Sequence, residues 1–142
     1  MTRDEVFDEI YQAIETKLSD IVLNPYSATI LSYIPSYEFD DLPLIVLSQI
    51  DYRLVGEALN KNEKRHEIVI EAQIFARNEQ GVHQRVIGNN VANIVEDVIQ
   101  NDYGLGLEMS NVIPNLDESI YRIVLRFRGY TFDDTKVIYR NN

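Results

Sequence analysis

Val6, Ile10, Ile14 and Leu18 recur at every fourth position, Phe7 and Tyr11 widen the stripe, and Asp8, Glu9, Glu15 and Lys17 fall largely outside it. An apolar stripe of this period predicts an amphipathic helix. Thr2 followed by Glu5 matches a capping box, and Asp4 and Glu5 suit the positive end of the helix dipole. The helix is expected to stop between Asp20 and Leu23, ahead of Asn24-Pro25, because a residue before proline is pushed out of helical geometry. Its apolar side needs a sheet to cover.

Strand signals follow. Ala28 to Ile34 is apolar and closed by Pro35, and Leu42 to Ile50 contains the run Leu44-Ile45-Val46-Leu47. A run apolar on both faces predicts a strand covered on both sides, by its own core and by a further layer or a neighbouring subunit. Between the two lies an acidic, aromatic loop from Tyr37 to Asp41. Tyr52 to Glu67 is the longest polar segment, longer than a tight hairpin turn, and reads either as a surface loop or as an extended arm or hairpin with a slightly basic tip. His66 to Arg77 alternates, with Ile68, Ile70, Ala72, Ile74 and Ala76 on one face. Asn78 to Gly81 is a turn. Val82 to Asn101 carries a second helical stripe, Ile87, Val91, Ile94, Val95 and Val98, ending at Tyr103-Gly104, where glycine permits a left-handed exit. Gly106 to Pro114 and Ser119 to Phe132 are the closing strands, and Lys136 to Arg140 is a short tail that continues the sheet edge. The order helix, three strands, helix, two strands predicts an α+β domain spanning 1–142, a mostly antiparallel sheet flanked by two helices.

The stretch Ile120 to Tyr130 has two unlike faces. Side chains alternate along a strand, so Tyr121, Ile123, Leu125 and Phe127 point one way, and Arg122, Val124, Arg126 and Arg128 the other. Three readings of that arginine row stay open: a solvated outer face whose arginine stems cover apolar area, bidentate pairing with carboxylates of another chain, or contact with phosphate.

Composition narrows the function classes. Among 142 residues, 13 Lys and Arg face 23 Asp and Glu, giving a formal net charge of −10. That balance argues against a general nucleic-acid binder, which needs a basic footprint. Absence of cysteine excludes disulfides, thiolate metal sites and a cysteine nucleophile. No apolar run approaches the ~18 residues of a membrane span. Met1 to Glu5 leads into a charged helix rather than a signal-peptide core, so assembly in the cytoplasm is expected.

Candidate chemistry is sparse. Glu63, His66 and Glu67 have metal-ligand spacing only on a helix, whereas this stretch reads as loop running into strand; no metal or cofactor is expected. Gly104-Leu105-Gly106 follows a helix, unlike a phosphate-binding glycine turn, which follows a strand. No nucleophile elbow or phosphate loop is present, and Asp40-Asp41 and Asp133-Asp134 diverge in extended chain. An enzyme is not expected.

The whole pattern resembles the tail terminator, or tail-completion, proteins of long-tailed bacteriophages. The matching pieces are the opening helix ending near Asn24-Pro25, the Pro43-Leu44-Ile45-Val46 strand after an acidic loop, the Glu67 to Ala76 strand, and Ile120-Tyr121-Arg122-Ile123-Val124. This resemblance implies a non-enzymatic virion protein. It would form a homo-oligomeric ring, hexameric in that family, on the head-proximal end of the tail tube, stop tube polymerisation and join the neck. Its partners would be itself, the tube protein and a neck or connector protein, with DNA passing through the ring. Within that reading, Arg122, Arg126 and Arg128 are expected to pair with a neighbour's Glu38, Asp40 and Asp41. Lys61, Lys64 and Arg65 would lie on an arm reaching a neighbour or the tube. The alternatives are a neck or head-completion protein, and a small α+β ligand-binding domain or enzyme with a pocket between helix and sheet.

Overall fold

A computed structural model describes residues 3–20, 29–32, 43–57, 64–79, 81–114, 119–132 and 137–139. Its elements are α1 (Arg3–Asp20), β1 (Thr29–Leu31), β2 (Leu44–Glu57), β3 (Lys64–Ala76), α2 (Gln84–Glu96), a wider helical turn (Asp97–Asp102), β4 (Gly106–Val112), β5 (Tyr121–Phe132) and β6 (Val137–Tyr139). The strands form one sheet in the order β1-β2-β3-β5-β4, with β6 also on β5. Only β1 and β2 run parallel; every other pair is antiparallel. The chain therefore has the expected α+β class, a mostly antiparallel sheet with two helices.

One edge of β5 is taken by β3 along its whole length, so β4 and β6 share the other. β4 pairs with Ile123 to Arg128 and β6 with Tyr130 to Phe132, end to end. The opposite margin is less complete. β1 covers Leu44 to Val46 alone, and among the described residues no strand pairs with the outer edge of β2 beyond Val46.

Both helices lie on one face. Val6, Ile10 and Ile14 of α1 and Ile87, Val91 and Val95 of α2 have no exposed surface. Together with Ile45, Leu47, Ile68, Ile70, Ile74, Leu125 and Phe127 they make the core, each such side chain contributing ~1.5–3 kcal/mol by leaving water. The four-residue spacing of the α1 stripe is thus the period that keeps one flank on the sheet. The Tyr11 hydroxyl donates to the Ile30 carbonyl at 3.0 Å and ties α1 to the sheet margin.

α2 starts with side-chain caps. Nδ1 of His83 accepts from the Arg85 amide at 3.1 Å, and Oδ1 of Asn78 accepts from the Gln84 amide at 2.8 Å. Glu79 and Val82 bridge to each other at the expected turn, with Gly81 at φ 84°. A Cβ at Gly88 would lie 2.5 Å from the Tyr121 ring, so glycine sets how closely α2 approaches β5. Beyond Glu96 the wider turn brings Val98 and Ile99 inward before Gly104, at φ 74°, ends the run by donating its amide to the Gln100 carbonyl.

β1 covers Thr29–Leu31 and is followed by a bend at Ser32, while Ala28, Tyr33 and Ile34 lie outside the described residues. The second strand runs past Ile50 to Glu57, so the polar segment begins as strand, as the hairpin reading has it and the loop reading does not: Tyr52 pairs with Ile68, Arg53 with Glu67 and Leu54 with His66. Polar residues there alternate with apolar ones, as a half-covered strand requires, and bulges between Gln49 and Asp51 and between Leu54 and Gly56 bend it. The tail continues the sheet as expected, with Val137–Tyr139 forming β6 on β5.

Candidate functional site

The face of the sheet without helices holds the arginine row. On β3, Ile68, Ile70, Ala72 and Ile74 face the helices, which turns Glu67, Val69, Glu71, Gln73 and Phe75 outward beside Arg122, Val124, Arg126 and Arg128 of β5. Direct and diagonal cross-strand neighbours are close enough for long side chains to meet. Arg126 lies directly opposite Glu71 and donates from Nη2 to Oε2 at 2.8 Å. Arg122 lies opposite Phe75 with its guanidinium carbon 5.4 Å from the ring centroid, and donates diagonally to Gln73 at 2.6 Å.

Arg128 is the hub. Its Nη1 donates to Oε1 of Glu67, which also accepts from Arg53 of β2 at 3.1 Å. On the other side Nε and Nη2 of Arg128 reach the two oxygens of Glu108 at 2.8 and 3.3 Å, a forked contact. Glu108 is the extra residue at the β4 register shift between Leu107 and Met109. Asp51 closes the far end, 3.7 Å from Nε of Arg53. The ladder thus crosses four strands, pairing Arg53, Arg126 and Arg128 with Asp51, Glu67, Glu71 and Glu108, and Arg122 with the amide of Gln73. The hydrogen bond from Arg128 holds the Glu108 carboxyl below its ordinary value, and the same bond raises Arg128. Glu67 is nearly buried, its side chain 8% exposed, while Arg126 and Arg128 keep 37%.

Apolar side chains seat the ladder. Val69 and Val124 are buried within it, and Leu44, Val46 and Phe75 form a second cluster with Ile120 against it. The other described surface differs in charge. The exposed sides of α1 and of the turn after α2 present Glu5, Asp8, Glu9, Glu15, Asp97 and Asp102. Among the described residues the helical layer is thus acidic, while the ladder sets four arginines beside four acids.

The arginines meet carboxylates and an amide of their own chain, brought to them by the register of β3 and β4, partners the expectation did not name. Glu38, Asp40 and Asp41 lie outside the described residues, as does Lys61. Lys64 and Arg65 are not loop: they open β3, paired with Glu57 and Gly56. Glu67, Glu71, Gln73, Glu108 and Arg53 were missed as ladder members, although the alternation of the third strand already separated Glu67, Glu71 and Gln73 from its apolar face.

The remaining candidates separate. His66 stacks on Tyr52, ring centroids 4.7 Å apart, on the core side, whereas Glu67 turns to the arginines; Glu63 is outside the described residues. Among the described residues no group of three or more His, Cys, Asp or Glu is placed to hold a metal. A shallow depression of about 440 Å³ lies on the helical layer, lined by Glu9, Gln12, Ala13, Thr16, Lys17, Asp102 and Tyr103. It is on the opposite layer from the ladder. No described helix is long and apolar enough to cross a membrane. No family model matches the sequence, and no curated protein is significantly similar to it.

Proposed function

We propose that this chain is a structural virion protein of the tail-terminator kind. It acts as a homo-oligomeric ring, probed first as a hexamer, that caps the head-proximal end of a phage tail tube, stops its polymerisation and joins it to the neck. The observation that supports this best is the unequal pair of sheet margins. One is the outer edge of β2 from Leu47 to Glu57, which no described strand pairs; the other is the β4–β6 margin. An unpaired edge offers a row of amides and carbonyls to another chain. A closed ring needs two different, mutually complementary surfaces on each subunit, and two unlike margins of one sheet meet that requirement. The fold class and the helix-free sheet face fit a subunit of this kind. A neck or head-completion ring draws on the same features, and its binding partner separates the two readings.

The test is mass in solution by light scattering over a rising concentration series, with negative-stain microscopy for annular particles, then addition of tail tubes from the same phage. Annuli, or a ring on one end of each tube, are expected. Binding to the connector in preference to the tube selects the neck reading. A chain that stays monomeric, forms no annuli and leaves tubes uncapped overturns both.

A further inference from the structure

We infer that the ladder couples the two margins of the sheet: a change at the outer edge of β2 is felt at the β4 bulge through one unbroken run of ion pairs. The coupling belongs to the single chain and goes beyond the ring reading; only its use in assembly rests on that reading.

Among the described residues the ladder divides into two runs. In the first, Arg122 donates to Gln73, Gln73 to Glu71, and Arg126 to the other oxygen of Glu71. That run stays on β3 and β5. The second leads from Asp51 through Arg53, Glu67 and Arg128 to Glu108, and so passes from β2 over β3 and β5 to β4. It spans the sheet across a distance of roughly 14 Å, at the usual strand spacing. Both of its ends sit at irregularities of the margins. Asp51 follows the bulge at Ile50, an exposed apolar residue on the β2 edge that no described strand pairs, and Arg53 lies between the two bulges of that strand. Glu108 is the bulged residue of β4.

Glu67 is the joint. Its Oε1 alone accepts from both Arg53 and Arg128, and the side chain is nearly buried, so water competes poorly for it. Groups that share an acceptor depend on one another more than separate pairs do. When Arg53 is drawn away, as by a strand docking on the β2 edge, Glu67 turns its whole demand to Arg128. The rigid, planar guanidinium follows Glu67 only by turning Nε and Nη2 from Glu108. Glu108 then loses the fork that holds it in the bulge, and β4 opens more often. In the other direction, release of Glu108 frees Arg128 to compete with Arg53 for Oε1. Coupling between two sites is reciprocal by necessity. Exposed ion pairs add little to stability, yet a run of them through one shared oxygen makes each margin sensitive to the other. In a ring, a neighbour on one margin would set how readily the second margin takes the next.

The test is hydrogen exchange by mass spectrometry on the full chain, followed in peptides covering β4 and in peptides covering Ser48 to Leu54 of β2. Arg53→Gln should speed exchange around Glu108 about two- to fivefold, the size expected when one exposed ion pair loosens. Glu108→Gln should speed exchange of the β2 peptides by a similar factor. In a Glu67→Gln background both effects should vanish. In a Glu71→Gln background, which breaks the central run alone, both should persist. Circular dichroism and thermal unfolding establish that each variant is folded. Arg128→Lys, which keeps the charge and cannot fork, cuts the same run a second way should Glu67→Gln fail to fold. The proposal is overturned if Arg53→Gln leaves β4 unchanged, if its effect survives the cut at Glu67 or Arg128, or if the effect runs in one direction only. Light scattering on the same samples records particle mass. A chain that shows the cross-talk and never assembles counts against the ring alone, whereas rings without cross-talk count against the coupling alone.

Discussion

The two faces of the sheet are built from the same strands and bury apolar residues by different means. Towards the helices, Ile68, Ile70, Ile74, Leu125 and Phe127 are sealed in a mainly apolar cluster. On the other face Val69, Phe75 and Val124 are almost as buried, yet Glu71, Gln73, Arg122 and Arg126 stand between them. Packing on the first face is non-directional and tolerates exchange among apolar residues of similar volume. The second depends on which residue stands opposite which, since a slip of one position turns every side chain to the other face. A sheet can thus have its stability set by one face and its pairing register marked by the other.

The strongest way to break that contrast is to truncate one phenylalanine on each side. Phe127→Ala leaves a large void beneath the helices and should cost about 3–5 kcal/mol in urea unfolding. Phe75→Ala should cost clearly less, because Phe75 belongs to a small cluster with Leu44, Val46 and Ile120 at the margin of the open face. Equal losses would mean that the open face is a second core and that the division drawn here is wrong.

A smaller effect sharpens the polar side. Glu67 is the shared acceptor of Arg53 and Arg128. Glu67→Ala removes the acceptor they share, and because Arg53 is 61% exposed and Arg128 keeps Glu108, the loss should be at most about 1 kcal/mol. Restoring neutrality by adding Arg53→Gln should recover part of that loss, a coupling that a double-mutant cycle measures. Strict additivity of the two changes would show that the ladder is a set of independent pairs.

How much of this was legible in the sequence follows from the same contrast. Periodicity identified both helices and the apolar face of each long strand, because burial against a helix layer repeats at 3.6 or 2 residues whatever the neighbour is. It also separated Arg122, Arg126 and Arg128 from Ile123, Leu125 and Phe127. Their partners were not legible. Glu71 is 55 residues from Arg126 and Glu67 is 61 from Arg128, and only the strand order β3-β5-β4 decides that they meet. Glu108 was harder still, since its reach to Arg128 depends on a one-residue bulge in β4. The extension of β2 to Glu57 was hidden for a related reason. Asp51 and Arg53 look like loop until Glu67 is known to stand beside them, so the polar composition of that segment concealed a strand whose outward face belongs to the ladder.

The smallest effect concerns acid, and it isolates the exposed end of the ladder. The Arg128 guanidinium holds the Glu108 carboxyl below its ordinary value of 4.5 in the folded chain. A carboxyl depressed on folding stabilises the fold above its unfolded value and loses that contribution as the pH falls through the folded value. The pair therefore supports the fold fully at neutral pH, and its contribution fades below about pH 4.5. Because Glu108 is exposed, the effect should be slight and should weaken in high salt. Glu108→Gln removes the titrating group, so the wild type and the variant should differ slightly in melting temperature at pH 7 and converge as the pH falls below 4.5 and through the folded value, where Glu108 carries a proton in both the folded and the unfolded chain. A gap between the two that persists unchanged at low pH would mean that Glu108 acts through its packing on β4, and that the bond to Arg128 contributes nothing by its charge.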